Sequence, residues 1–170
     1  MARTSKPAKR IAAPPQKAAE AQLAEFLAKF SPEHQALVRS VRRRLLRRFS
    51  TATEMVYDNY NFFVIGYSPT DRPSDAIISI AAGASGVGLC FIQGAKLPDP
   101  KKILIGSGKQ TRFVRLETAA VLDRPEVGAL LDAAEAGAKC AFPTNGRPRL
   151  VIRSVSAKQR PRRKPAQRSD

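Results

Sequence analysis

The chain has little of what enzymatic or metal chemistry draws on. It holds one histidine, His34, and two cysteines, Cys90 and Cys140, in 170 residues. A hydrolytic triad needs a base to activate its nucleophile, and that base is usually histidine. His34 is already accounted for by the helix start Ser31-Pro32-Glu33-His34. The cysteines lie far apart and outside any C-x-x-C pair, so metal and redox use lack a motif and a reducing, cytoplasmic setting is the expectation. No apolar run is long enough to span a bilayer. Met1–Pro7 is basic with no apolar segment behind it, which argues against a secretory signal. No catalytic residues, metal ligands or cofactor are expected.

Acids are also scarce: 14 Asp and Glu stand against 30 Lys and Arg, a formal charge of +16. Five of those charges fall in residues 1–17 and a net eight in 147–170, leaving about three on residues 18–146. Flexible basic ends contact phosphates and release counterions, giving salt-sensitive, sequence-independent binding to nucleic acid. The ends contain no aromatic residues for base stacking. Residues 1–15 and 156–170, rich in Lys, Arg and Pro, are expected to be disordered basic tails around a single domain of residues 16–155.

Within that domain, Leu23, Phe26, Leu27 and Phe30 recur at helical spacing and predict a helix over Gln16–Phe30. Ser31 as N-cap and Pro32 at the first helical position predict a second helix, running to about Phe49. It would bury Leu37, Val38, Val41, Leu45 and Phe49 and place Arg39, Arg43 and Arg47 on the opposite side, with Arg42 nearby. Strands are expected over Asn61–Tyr67, Asp75–Ala82, Val87–Gln93 and Arg112–Glu117, with Leu150–Ile152 as a further edge. A last helix starts near Arg124-Pro125-Glu126, capped by Asp123. The fold class is α+β: an antiparallel sheet of about four to five strands, two N-terminal helices and one C-terminal helix.

The segment Gly106-Ser107-Gly108-Lys109-Gln110-Thr111-Arg112 is similar in outline to a phosphate-cradling loop but lacks its requirements. The early glycine position is Ile103, and Gln110 stands where Ser or Thr should follow the lysine. What remains is a turn that can bind a phosphate or carboxylate through backbone N–H groups, Lys109, Thr111 and Arg112. Alternatively, both glycines supply positive φ and the cations are solvated. Tyr57 and Tyr60, beside Glu54 and Asp58 at the entry to the sheet, are candidates to line the ligand. The carboxylates Glu54, Asp58, Asp71, Asp75 and Asp99 show no metal-ligand spacing, and a basic domain repels cations.

Phe91-Ile92-Gln93-Gly94-Ala95-Lys96-Leu97-Pro98-Asp99-Pro100, then Gly106–Arg112, Val114-Arg115-Leu116 and Leu122-Asp123-Arg124-Pro125-Glu126-Val127, resemble the YdhG-like family of small domains of unknown function. The resemblance spans about Ala18–Lys139. It implies an α+β fold with an antiparallel sheet and no assigned activity, one branch being frataxin-like and concerned with iron delivery. Asn59 and Tyr60 stand where many members carry Met-Pro. Three readings follow: a small anionic ligand near Gly106–Arg112, nucleic acid through the tails, and frataxin-like iron handling.

Overall fold

Helix α1 (Gln16–Ala28) is followed by helix α2 (Pro32–Arg48), which starts at the Ser31 cap. In the computed structural model, which describes residues 16–167, Ser31 is extended and its hydroxyl accepts the His34 N–H at 3.3 Å. Pro32 fills the first helical position, where a missing N–H costs nothing. The expected tail of residues 1–15 lies outside the described residues.

Strands β1 (Thr53–Asp58), β2 (Phe63–Ser68), β3 (Ile78–Gly83), β4 (Gly86–Phe91) and β5 (Arg112–Leu116) follow, then helix α3 (Pro125–Ala136) and strand β6 (Arg149–Val155). They form one sheet in the order β5-β4-β3-β2-β1-β6. The expectation of four to five antiparallel strands is corrected on two points. Among the described residues there are six strands, and β6 runs parallel to β1 while the other pairs are antiparallel. Strand β1 escapes the apolar pattern because Glu54 and Asp58 occupy its inward positions. Strand β6 is parallel because α3 and residues 137–148 make the long crossover that such a return needs.

The row Val56, Ile65, Ile80, Leu89 and Val114, paired strand to strand, faces the helices and belongs to the core. Leu23 and Leu27 of α1, Val38, Val41 and Leu45 of α2, and Val127, Leu130 and Leu131 of α3 close over it. Phe63 packs against Phe30 edge-on at 5.9 Å and against Phe26 at 6.2 Å between ring centroids. The other face of the sheet carries the row Met55, Gly66, Ser79, Cys90 and Phe113. Asp123 does not cap α3. It ends a short 3-10 turn (Ala119–Asp123) and pairs with Arg44, and Arg124 takes the cap position without a side-chain bond.

The C-terminal stretch differs most from expectation. Ser156–Asp170 reads as a disordered tail, yet residues 156–163 lie against α1 and the β1–β2 turn. Ser156 N–H reaches the Asp58 carbonyl at 2.9 Å, and Arg160 N–H the Tyr60 carbonyl at 2.8 Å. Residues 156–163 are held by polar contacts, which composition does not register, and residues 168–170 of the expected tail lie outside the described residues.

Candidate functional site

The turn at Gly106–Arg112 is built mainly from its own contacts. Ile105 and Phe113 exchange backbone hydrogen bonds at 2.8 and 2.9 Å, and Ala95 N–H donates to Gln110 O at 2.8 Å. Gly106 needs glycine, with φ +127°; Gly108 has no positive φ. The Arg112 guanidinium donates back to the carbonyls of Gly108 and Thr111, the latter at 2.9 Å. Thr111 Oγ1 is 3.4 Å from the Ile92 carbonyl. A Cβ on Gly94 would sit 2.6 Å from Arg112 Cβ, so this glycine lets two backbones meet. Ser107 and Lys109 are exposed. Arg112 is half-buried against the loop, and Lys109 is the remaining exposed cation of the motif.

Tyr57 and Tyr60 are not brought to this turn. Tyr57 is on β1 and Gly106–Arg112 leads into β5, with three strands between them, roughly 19 Å across the sheet at about 4.8 Å per strand. Tyr57 lies on the face away from the helices, its hydroxyl 3.8 Å from Met55 Sδ. Tyr60 is 52% exposed beyond the far end of β1, beneath the Arg160 guanidinium at 5.8 Å.

Alternation along β1 turns Glu54, Val56 and Asp58 toward the helices. Both carboxylates are 1% exposed, and each is paired. Arg42 forks onto Glu54 at 2.7–3.1 Å and onto Glu20 at 2.6–2.9 Å, tying α2 to β1 and α1. Burial opposes the charged guanidinium, but hydrogen bonds and charge from Glu54 and Glu20 raise its pKa above the ordinary arginine value. Asp58 receives Lys29 at 2.6 Å and Arg162 at 2.9 Å. These carboxylates hold the layers together and are closed to a ligand. Among the described residues, no group of three His, Cys, Asp or Glu side chains could hold a metal ion.

Tyr67 pairs with Glu54 across β1 and β2 and is fully buried, and its hydroxyl has no hydrogen-bond partner among the described residues. Burial first, and the Glu54 charge second, hold its pKa well above 10.0. Burial thus penalises the phenolate, so Tyr67 carries no pH-dependent cost below pH 10.0 and lowers stability as rising pH ionises the unfolded chain. Tyr67→Phe is expected to leave melting stability at neutral pH unchanged or raised by up to about 1 kcal/mol. It should also remove part of the alkaline loss. A variant destabilised at neutral pH would show that the hydroxyl has a partner.

Helix α2 carries six arginines, and they divide in two. Arg42 is paired as above, Arg44 with Asp123, and Arg48 with Asp132 and Glu135. Arg39, Arg43 and Arg47 are exposed and form no ion pair among the described residues; Arg39 touches only Gln35, at 3.3 Å. Four-residue spacing puts the three about 6 Å apart along the axis, drifting about 40° per step. Arg39 and Arg43 rim a groove between α1 and α2, about 220 Å³ in volume, floored by Leu23, Ala24, Leu27 and Leu46. Arg47 borders a cleft of about 320 Å³ toward α3. The stripe is legible in the sequence, but the neutralisation of its neighbours Arg42, Arg44 and Arg48 is not.

The C-terminal segment meets the loop end of the same helical hairpin. Arg162 is 4% exposed as a residue and donates to Asp58, to Asn59 O at 2.5 Å and to Asn61 O at 3.1 Å, 5.9 Å from the Phe30 ring centroid. Arg163 donates to Ala28 O and Lys29 O at 3.2 and 3.3 Å, where α1 ends and cations suit the helix dipole. The exposed Glu33 carboxyl on α2 has its pKa lowered by hydrogen bonds to its own backbone N–H and to Ser31, with smaller help from His34 and Arg163.

The chain matches no protein-family model, no curated protein and no solved structure. No helix among the described residues is long and apolar enough to cross a membrane.

Proposed function

We propose that this domain is a binding protein, not an enzyme, and that α2 engages the phosphate backbone of nucleic acid through Arg39, Arg43 and Arg47. The asymmetry of the helix carries this reading. Three of its arginines are neutralised by acids, while three in a row remain unpaired and solvent-facing among the described residues. A solvated helix face would also place arginines outward, but unpaired like charges at four-residue spacing repel mildly and add nothing to the helix. A polyanion turns that repulsion into attraction and releases counterions on binding. The contacts are to phosphate, so recognition is independent of sequence. In this reading the site lies on α2 of the folded domain and not on the chain ends alone.

The resemblance to the YdhG-like family is compatible with this reading and supplies no chemistry of its own. Gly94, Gly106 and Arg112 of its motif make a packed corner. A small anion beside exposed Lys109 is a second reading, and phosphate titration followed by amide NMR at Gly106–Arg112 tests it. The frataxin-like reading lacks a cluster of three donors among the described residues.

The test uses a short labelled DNA duplex at low salt with the full chain. Replacing Arg39, Arg43 and Arg47 together by Ala is expected to weaken binding by about tenfold or more. Arg44→Ala, which removes a charge already tied to Asp123, is expected to change it little. An Arg44→Ala loss about one third that of the triple variant on a logarithmic scale, the same per charge removed, would point to net charge alone and remove α2 as the site.

A further inference from the structure

Resting on the phosphate-binding reading of α2, we propose that Arg162 is a positioning residue that fixes the C-terminal basic segment as a second phosphate-contacting arm, in line with the α1–α2 groove. The buried guanidinium is enclosed by the Asp58 carboxylate, two backbone carbonyls and the Phe30 ring, and cannot itself reach a polyanion. Its neighbours can. Arg160, Arg163 and Lys164 are exposed.

The placement gives these charges a direction. Arg163 rests on the carbonyls of Ala28 and Lys29, immediately past Leu27, which lines the groove rimmed by Arg39 and Arg43. The cations thus run from Arg47 along α2 toward the loop end of the hairpin, where Arg163 lies beside the exposed Glu33 and Lys164 follows it in the chain. A free tail carrying the same charges would lose conformational entropy on every phosphate it meets, whereas an arm already fixed to the domain loses less. Gln159 adds a second tether: its amide donates to Asp58 O at 3.4 Å, and its carbonyl oxygen accepts from Lys29 Nζ at 3.4 Å. One arginine is buried as the anchor, and the others stay on display.

The experiment compares four full-length proteins: wild type, Arg162→Gln, the double variant Arg163→Ala with Lys164→Ala, and the triple α2 variant. Each is tested for tryptic cleavage within residues 158–164, affinity for a short DNA duplex, and the salt dependence of that affinity. Arg162→Gln should accelerate cleavage about tenfold or more and weaken binding by at least as much as the double variant, although it removes no exposed charge. Its salt slope should fall by about 2, as expected when two phosphates are no longer neutralised. Faster cleavage with affinity unchanged or increased would overturn the proposal, as would a double variant that binds like wild type. Should Arg162→Gln fail to melt cooperatively, Asp58→Asn takes its place, since it loosens the same anchor while keeping side-chain shape. A triple α2 variant that binds like wild type refutes the underlying function and the arm with it. Weaker binding by the triple variant, with Arg162→Gln binding like wild type, refutes the arm alone.

Discussion

Arg42→Met is expected to destabilise the fold by about 3–5 kcal/mol, the usual cost of removing one partner from a buried ion pair. Glu54 is 1% exposed, and both of its carboxylate oxygens accept hydrogen bonds from this guanidinium. Without it, a carboxylate is left beside Tyr67, whose own hydroxyl has no partner among the described residues. Glu20, at the helix surface with its side chain 43% exposed, is rehydrated at little cost and should not add much. Adding Glu54→Gln to Arg42→Met removes the stranded charge and should restore part of the loss. Urea unfolding of the single and double variants measures it. A double variant less stable than the single one would mean that Glu54 stabilises the fold through something other than Arg42.

Phe63→Ala is expected to cost a similar amount, about 3–5 kcal/mol, by cavity formation. The ring is fully buried at the start of β2 and lies against Phe26 and Phe30, joining the sheet to the α1 end of the helical layer. Phe62, its neighbour on the opposite face, is 52% exposed. Phe62→Ala should therefore change stability by less than about 1 kcal/mol. Equal effects from the two substitutions would contradict the assignment of faces, because a one-residue slip in register exchanges them.

The two phenylalanines show what the sequence could and could not convey. Apolar spacing located the helices, and Ser31-Pro32 set the start of α2 to the residue, since caps act locally. Strand β1 stayed hidden because Glu54 and Asp58 stand where the core expects apolar side chains. Their partners, Arg42 for the first and Lys29 and Arg162 for the second, come from other elements of the fold. Parallel β6 was legible as a strand but not in its direction, which depends on the crossover through α3. Candidate-site residues separated along the same line. Arg39, Arg43 and Arg47 could be read as one stripe from their spacing. Arg42 is only one residue from Arg43 but about 100° around the helix, and the acid on β1 decides that it belongs to the interior. Tyr57 and Tyr60 could be grouped with the glycine turn only because strand order is not written in the sequence. Arg162 is the sharpest case: Arg-Pro-Arg-Arg has the composition of a disordered segment, yet a buried guanidinium, backbone bonds from Ser156 and Arg160 and the Gln159 and Arg163 side chains hold it to the domain.

The most direct measurement is the salt dependence of duplex DNA affinity for wild type and for the triple variant Arg39→Ala, Arg43→Ala, Arg47→Ala. If three phosphates sit on α2, the slope of log K against log salt should be shallower in the variant by about 2.7, roughly 0.9 for each phosphate that the helix no longer neutralises. Parallel slopes for the two proteins would mean that α2 meets no phosphate and would contradict the proposed function.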